Sequence, residues 1–194
     1  MLDKTTKLSI VWSMQTLSIG LSYALAVVWG FKDVENRSWT TRTRGTIAVH
    51  ASRTDDGKAF DKLPVFVDFR RTERSADGTY PDASKCKYLI NDSQHHLSLR
   101  DEYRDFGYYQ KQLAFLRWII NASDSEISTG SIIGTVDIMD IVRDSSSEWA
   151  DAGANHYILS NPRRFVKPII GVRGMPGFWQ YPDDPILSRE VIAC

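Results

Sequence analysis

The first apolar repeat of the chain lies between residues 21 and 30. Apolar residues recur there at i, i+3, i+4 and i+7, which predicts one face of a helix of about two turns: Leu21, Ala24, Leu25 and Val28. Ser22 can cap the start of this helix, because a serine hydroxyl accepts a hydrogen bond from a free backbone N–H. Gly30 is well placed to end it, since glycine readily adopts the left-handed conformation that closes many helices.

Strand patterns flank this helix on both sides. Residues 16–20 predict a short strand before it. Residues 33–39 predict a strand after it, in which Glu35, Arg37 and Trp39 share one face because side chains alternate along a strand.

Further strands follow. Residues 46–50 are rich in β-branched residues and predict a strand with Ile47 and Val49 on one face and Ala48 and His50 on the other. The later segments that read as strands are 131–142, 157–160, 165–170 and 177–181.

The middle of the chain has a different character. Residues 53–100 are rich in Asp, Lys, Arg, Ser and Gly and show little periodicity, which indicates inserted loops with at most one short strand, at 65–69. Residues 101–120 follow with the clearest helical pattern, an apolar stripe made of Phe106, Tyr109, Leu113, Leu116 and Ile120.

Many short strands with few helices between them predict an α+β protein built on a β-barrel. The chain has 194 residues, of which 42% are hydrophobic and 25% charged, so it suits one domain with a sizeable core. We expect residues 1–194 to form that single domain, with 1–16 as an N-terminal extension and 53–128 as an inserted region of loops and helix.

Charge is balanced in total but segregated along the sequence. Lys and Arg number 24, as do Asp and Glu, which disfavours a strong non-selective polyanion binder. Residues 1–53 carry seven basic and three acidic side chains, and residues 163–173 carry four basic side chains and no acidic one. Residues 137–151, by contrast, carry one basic and five acidic side chains. If the two basic stretches meet in space, they form a positive patch that the total charge conceals; otherwise they are solvated faces.

Cysteine use and an N-terminal apolar run bear on location. Cys86 and Cys194 have no Cys or His neighbour at zinc-ligand spacing, so we expect a reduced, cytoplasmic protein without a metal or other cofactor. Residues 8–31 carry no charge and are long enough to span a bilayer. Serine, threonine and glutamine residues dilute this run, and it divides into shorter elements, so we expect no membrane association.

One motif resembles a known family. Gly30, Lys32, Glu35 and Arg37 complete a Gly-x-Lys-x-x-Glu-x-Arg pattern that is similar to the opening of the ASCH domain family. The chain departs from that family at Gly20-Leu21-Ser22, where Arg-Gln-Pro is common. Shorter matching motifs occur in the family's order: Leu17-Ser18-Ile19, Tyr23-Ala24, Arg44-Gly45, His50-Ala51-Ser52, Gly134-Thr135-Val136-Asp137, Ser160-Asn161-Pro162, Arg173-Gly174 and Gly177-Phe178-Trp179.

The resemblance implies a PUA-like β-barrel with flanking helices, a cleft lined by Lys32 and Glu35, and an RNA-binding function. Some members of the family are enzymes: one branch resembles amidohydrolases that remove an acetyl group from N4-acetylcytidine, and others have been regarded as ribonucleases. In the amidohydrolase branch a threonine stands where this chain has Glu35, which argues against the same covalent mechanism here.

Three residues are candidates for chemistry if the protein is an enzyme. Lys32 can neutralise a phosphate or polarise a carbonyl, or it can simply pair with Glu35. Glu35 can act as a general base or form a structural ion pair. Asp137 can supply a second carboxylate or lie on the surface of its strand.

Nucleic-acid contacts are predicted from aromatic, basic and hydroxyl side chains. Tyr23 and Trp39 can stack on a base, although core packing is the commoner fate of aromatic residues. Arg37 can instead anchor backbone carbonyls of the barrel. The full predicted binding set is Tyr23, Lys32, Arg37, Trp39, Arg42, Arg44, His50, Ser52, Arg163, Arg164 and Arg173.

Three functions stay open at this point. The leading hypothesis is a module that binds single-stranded RNA or a modified nucleoside. One alternative is a metal-independent hydrolase that acts on RNA or on an N4-acylated cytidine. The other is a protein-interaction or regulatory domain that has lost ligand binding, which the missing Arg-Gln-Pro and the neutral total charge favour.

Overall fold

The computed structural model describes residues 13–53, 129–182 and 184–193, together with positions 59, 111, 114, 115 and 118. The predicted strand at 65–69, the apolar stripe of 101–120 and both cysteines lie outside these residues. The elements are β1 (Ser13–Gly20), α1 (Leu21–Val28), β2 (Val34–Arg37), β3 (Gly45–Ser52), β4 (Ser131–Val142), β5 (Asn155–Ile170), β6 (Phe178–Pro182), α2 (Asp184–Leu187) and β7 (Val191–Ala193).

The strands form one mixed sheet. Its order is β2-β5-β4-β3-β1-β6, and β7 pairs with β5 beside this path. β1 and β3 run parallel, with Ser18 opposite His50, and the other neighbouring strands are antiparallel. The predicted α+β class is therefore confirmed.

The helix α1 is buried on nearly all sides. Ala24, Ala26 and Val27 are each 0% exposed, so the burial extends beyond the single apolar face that the sequence predicts. The helix packs against β1, β3, β4 and β5, and just after its end the ring of Phe115 lies 5.1 Å from that of Trp29. The predicted cap is wrong, since the helix begins at Leu21 and has no side-chain cap.

The apolar run of residues 8–31 is divided by its own secondary structure. Its described part contains β1 and α1, and α1 has eight residues. In the part of the chain that the structure describes, no helix has the length and apolar character that a membrane crossing requires.

The two faces of the sheet pack against different clusters. Ile47 and Val49 of β3 belong to the larger cluster, which also contains α1. Ala48 points the other way, into a smaller cluster with Phe165 and Ile186. The alternation predicted for residues 46–50 is therefore confirmed.

β5 is one strand rather than the two that the sequence predicts. Asn161-Pro162 does not end it, because Asn161 takes a left-handed backbone conformation (φ 48°) within the strand, which asparagine tolerates better than most residues. The pairing with β4 shifts register opposite this point, between Thr135 and Asp137. An irregularity of this kind bends a strand without ending it.

The sheet curls until its two end strands approach each other. Trp39, just after β2, packs edge-on against Phe178 of β6, with 5.5 Å between ring centroids. Tyr157 of β5 completes this cluster, and its hydroxyl donates a hydrogen bond to the Trp39 carbonyl at 2.9 Å. Among the described strands, β2 and β6 share no backbone pairing. The sheet is thus not a hydrogen-bonded closed barrel, because aromatic side chains fill the gap between its ends.

Candidate functional site

A helix-ending turn places Lys32. Gly30 is left-handed (φ 66°), and its N–H donates to the Val27 carbonyl at 2.9 Å while the Phe31 N–H donates to Ala26 at 2.8 Å. These two bonds define the Schellman motif that commonly closes helices. The prediction that Gly30 ends the helix is confirmed, and the turn delivers Lys32 to the start of β2.

Lys32, Glu35 and Arg37 form a line of three charges. The Lys32 ammonium lies 2.7 Å from Oε2 of Glu35, and Nη2 of Arg37 lies 2.9 Å from Oε1. Lys32 also donates a hydrogen bond to the Val34 carbonyl. Glu35 and Arg37 therefore share a strand face, as the two-residue period of β2 predicts, and each oxygen of Glu35 is held by a different cation.

The three charges differ in burial. The side chains of Lys32 and Glu35 are 2% and 9% exposed, whereas that of Arg37 is 21% exposed. Arg37 also donates from Nη2 to the Ser18 carbonyl at 2.8 Å, so it ties β2 to β1 across the curled sheet. The predicted anchoring role of Arg37 is confirmed.

These residues line one cleft of about 400 Å³, which we call the Lys32 cleft. Its wall also contains Tyr23 of α1 and Ser52 of β3. The Lys32 ammonium lies 5.8 Å from the centre of the Tyr23 ring, within the range of a cation–π contact. A volume of this size is typical of small-ligand sites.

The opposite wall of the Lys32 cleft was not predicted. Asn36 donates to the Trp149 carbonyl at 2.7 Å and to Oδ2 of Asp151 at 3.0 Å, which holds the loop after β4 against β2. Trp149, Asp151 and Asn36 all line the cleft. Asn36 stands inside the Gly-x-Lys-x-x-Glu-x-Arg motif, but nothing local in the sequence signals contacts with residues more than a hundred positions away.

A second hollow, of about 650 Å³, adjoins the first. Ser18 and Ser52 line both spaces. Arg53 and Arg173 line the second, which we call the arginine hollow. Since Arg53 comes from the first basic stretch and Arg173 from the second, the two stretches do meet in space.

His50 forms a buried part of the wall of the arginine hollow. The residue is 2% exposed, its Nε2 lies 3.1 Å from the Val172 carbonyl, and its ring packs edge-on against Trp179. Burial lowers the pKa of His50, and the hydrogen bond to Val172 opposes this only in part. The imidazole is therefore neutral at pH 7, with its proton on Nε2 facing the carbonyl.

Asp137 lies in a different place. It accepts hydrogen bonds from Thr46 at 2.7 Å and Asn161 at 2.8 Å, and pairs with Arg163 at 3.5 Å. Partial burial on its own would raise the pKa of Asp137, but these hydrogen bonds and the charge of Arg163 together lower it. Asp137 does not line the Lys32 cleft, so the structure does not bring together the two carboxylates predicted for acid–base chemistry.

The remaining predicted arginines also lie outside both spaces. Arg44 pairs with Asp140 at 3.0 Å, and Arg42 is exposed. The Arg164 guanidinium lies 4.6 Å and 5.1 Å from the ring centres of Trp29 and Trp118. Trp39, predicted to stack on a base, packs instead in the aromatic cluster that joins the ends of the sheet.

The described residues contain no group of three or more His, Cys, Asp or Glu side chains arranged to hold a metal ion. Comparison of the sequence with known protein families finds no family that matches it, and comparison with curated proteins finds no match. A function must therefore be inferred from the motif residues and from the places that the fold gives them.

Proposed function

We propose that the chain is an ASCH-type, PUA-like domain whose Lys32 cleft binds a nucleoside of single-stranded RNA, or a free modified nucleoside. The observation that carries this proposal is the convergence of the motif residues Lys32, Glu35 and Arg37 on one solvent-reachable cleft with Tyr23. A cytoplasmic location, where such a ligand would be met, is part of the same proposal.

The curled sheet supports the PUA-like part of the proposal. The cluster of Trp39, Tyr157 and Phe178 brings β2 beside β6, and Arg37 bridges β2 to β1. The sheet is thereby wrapped around a shared core in the manner of a barrel, although side chains rather than backbone join its ends.

The chemistry of the Lys32 cleft suits the edge of a base. An ammonium has three N–H groups, and two described acceptors, Val34 and Glu35, engage Lys32. One N–H is left to donate, directly beside a carboxylate that can accept. The pairing edges of cytosine and adenine present a ring-nitrogen acceptor next to an exocyclic amine, and glutamate can accept from that amine.

Tyr23 supplies the stacking surface. Its ring lies beside the Lys32 ammonium in the cleft wall, and base–aromatic stacking contributes to binding whatever the base. The charged groups lining the cleft are balanced, with Lys32 and Arg37 facing Glu35 and Asp151. Such a site fits a neutral base better than a chain of phosphates.

Binding is favoured over hydrolysis by the positions of the carboxylates. Both oxygens of Glu35 contact a cation, and Asp137 lies elsewhere with partners of its own. The hydrolase would need one group to give and another to take a proton at the reacting atom. The predicted pair does not stand ready for that exchange.

The test is RNA binding by variants that leave the ion pairs in place. Fluorescence anisotropy with a single-stranded RNA of about ten nucleotides at low salt should show binding by the parent. Tyr23→Leu should weaken it by about tenfold, because one base loses its stacking partner. Tyr181→Leu is the matched control, since Tyr181 is half-buried like Tyr23 but lines neither space.

Two further outcomes are informative. N4-acetylcytidine should compete with the RNA if the ligand is a modified nucleoside. If folded parent binds neither RNA nor nucleoside, or if Tyr23→Leu binds as well as Tyr181→Leu, the proposal is wrong. The first of these results would favour the protein-interaction alternative.

A further inference from the structure

The arginine hollow is charged where the Lys32 cleft is balanced. Its lining includes Arg53 and Arg173, and none of the described residues that line it is acidic. The other residues that line the hollow are mainly glycines and small polar residues, including Gly130, Gly171 and Gly174. The hollow is therefore open and positively charged, a combination that fits an anion.

Within the described part of the chain, the two guanidinium groups form no contact that ties them to the fold. Among the described residues, neither Arg53 nor Arg173 has an ion-pair or hydrogen-bond partner. Arg44, Arg163 and Arg164, by contrast, contact an aspartate or aromatic rings. A planar guanidinium binds phosphate through two parallel hydrogen bonds, so a pair of uncommitted ones at a single hollow is suited to that group.

Backbone at Gly130 forms part of the hollow beside Arg53. A Cβ atom at Gly130 would lie 3.9 Å from Nε of Arg53, so the guanidinium lies against a residue without a side chain. Gly130 is itself fixed, because its N–H donates to Ala51 at 2.7 Å and its carbonyl accepts from Val172 at 2.8 Å. The floor beneath Arg53 is thus rigid backbone.

His50 adds an unused acceptor to the same wall. Its Nε2 faces the Val172 carbonyl, and its Nδ1 is buried without a hydrogen-bond partner in the described structure. Gly174 lies directly over it, since a Cβ there would approach Nδ1 to 2.7 Å. The neutral imidazole keeps this wall free of a third charge.

The hollow adjoins the Lys32 cleft. Ser18 and Ser52 line both, and they stand at the ends of the paired strands β1 and β3, where Ser18 is opposite His50. A ligand with a base in the cleft would therefore extend its sugar past these serines, toward Arg53 and Arg173.

We propose that the arginine hollow is a phosphate subsite, so that the ligand is a nucleotide, with its base in the Lys32 cleft and its phosphate between Arg53 and Arg173. This inference rests on the proposed function for the position of the base. The phosphate can belong to a free nucleotide or to an RNA backbone, since both present the same oxygens to the arginines.

The test compares ligands with and without phosphate. Calorimetry should show that the parent binds cytidine monophosphate at least about tenfold more tightly than cytidine. In Arg53→Gln/Arg173→Gln the preference should fall below about twofold, and the salt dependence of RNA binding should lose about one unit of slope per arginine. Arg143→Gln/Lys167→Gln is the control, because it removes the same charge at exposed residues that line neither space.

A separate readout follows the subsite alone. Inorganic phosphate should shift the amide resonances of Gly130 and Gly174 in the parent and in the control, but not in Arg53→Gln/Arg173→Gln. If Arg53→Gln/Arg173→Gln bound RNA as tightly as the parent does, the RNA phosphates would be recognised at another place. That result would overturn the subsite.

The outcomes separate the two proposals. Equal binding of cytidine and its monophosphate by the parent, or an unchanged preference in Arg53→Gln/Arg173→Gln, overturns the subsite and leaves the proposed function standing. Phosphate-induced shifts without any binding of cytidine or RNA would support the subsite and overturn the base-binding cleft. The absence of every response overturns both.

Discussion

Lys32 and Glu35 form an ion pair of 2.7 Å with both side chains almost fully buried. The pair exists because the turn at Gly30 ends α1 and β2 begins at Val34, so the two residues face each other across one tight bend. Burying two charges costs solvation free energy, which close pairing and further hydrogen bonds must offset. Arg37 and the Val34 carbonyl supply those further contacts.

Removal of one partner should therefore destabilise the fold strongly. Glu35→Ala leaves two cations beside the cleft without their carboxylate, and we expect the free energy of unfolding to fall by about 3–5 kcal/mol. Lys32→Met/Glu35→Leu should cost less than the sum of its single changes, because it removes both members of the buried pair and leaves only the partly exposed Arg37 without its carboxylate. Urea unfolding at pH 7 measures the free energy of unfolding of the parent and of each variant.

Arg44→Ala is the control for the variants of the Lys32–Glu35 pair. Its pair with Asp140 is exposed, with side chains 40% and 63% accessible, and exposed ion pairs contribute little to stability. An effect of Glu35→Ala no larger than that of Arg44→Ala would show that the buried pair is not held as described.

His50 predicts a pH dependence of stability. Its pKa in the folded protein lies below the ordinary 6.5, so the unfolded chain binds more protons between those two values. Stability is then fully present above pH 6.5 and is lost as the pH falls through the folded pKa, with a slope of at most about 1.4 kcal/mol per pH unit. Urea midpoints from pH 8 to pH 5 should show this in the parent.

His50→Gln isolates that contribution. The variant cannot take up the proton, so the difference between its stability and that of the parent should narrow as the pH falls below 6.5. The titration of Asp137 does not interfere, because its pKa lies below 3.8. A difference that is constant over the whole range would contradict a buried, neutral His50.

Gly134 should be intolerant of any side chain. A Cβ there would lie 2.2 Å from the Arg163 carbonyl oxygen and 2.9 Å from Val28, where β4, β5 and α1 meet. Gly134→Ala must push backbone apart, and overpacking of this kind costs about 1–3 kcal/mol or more. Thermal unfolding measures the loss.

Gly153→Ala provides the comparison. A Cβ at Gly153 meets nothing within 4 Å, but its φ of 81° is unfavourable for alanine, which costs about 1–2 kcal/mol. Gly134→Ala should lower the midpoint further than Gly153→Ala does. The reverse order would mean that β4 and β5 do not approach as closely as described.

The hydroxyl of Tyr157 should contribute to closing the sheet. It donates to the Trp39 carbonyl at 2.9 Å, and burial raises its pKa to about 12. Tyr157→Phe should reduce the free energy of unfolding by about 1 kcal/mol or more, since the acceptor loses its donor. Tyr181→Phe should have little effect, because the Tyr181 hydroxyl has no hydrogen bond among the described residues, and equal losses would contradict this closure.

Several elements could be predicted from the sequence because their causes are local. β4 begins and ends at the predicted residues 131 and 142, since a long run with β-branched residues leaves no helical alternative. Gly30 ends α1 through its left-handed backbone. Glu35 and Arg37 share a face because strand periodicity requires it.

What the sequence does not reveal depends on long-range contacts. β5 continues through Asn161-Pro162 because its pairing with β4 shifts register there, and local propensity carries no information about a partner strand. Asn36 reaches Trp149 and Asp151, and Arg53 meets Arg173 at one hollow. No periodicity in the sequence predicts these contacts. The sequence therefore does not predict Asn36, Trp149 and Asp151 in the cleft wall or Arg53 in the arginine hollow.

Several of the predicted residues that lie outside both spaces have partners elsewhere in the fold. Asp137 and Arg163 satisfy each other on neighbouring strands, and Arg164 is held by two tryptophans. The sequence shows that these residues are charged but not which partners they contact. A prediction from charge therefore assigns too many residues to the binding site.

Base binding in the Lys32 cleft can be tested by mapping the binding surface on the folded parent protein. Amide chemical shifts of isotopically labelled protein would be followed while a short single-stranded RNA is added. Base binding in the Lys32 cleft should concentrate the shifts at residues 18–23, 32–37 and 52 and leave Asp137 and Arg163 unchanged. Shifts confined to the strands around Asp137 and Arg163, or none at all with saturating RNA, would contradict it.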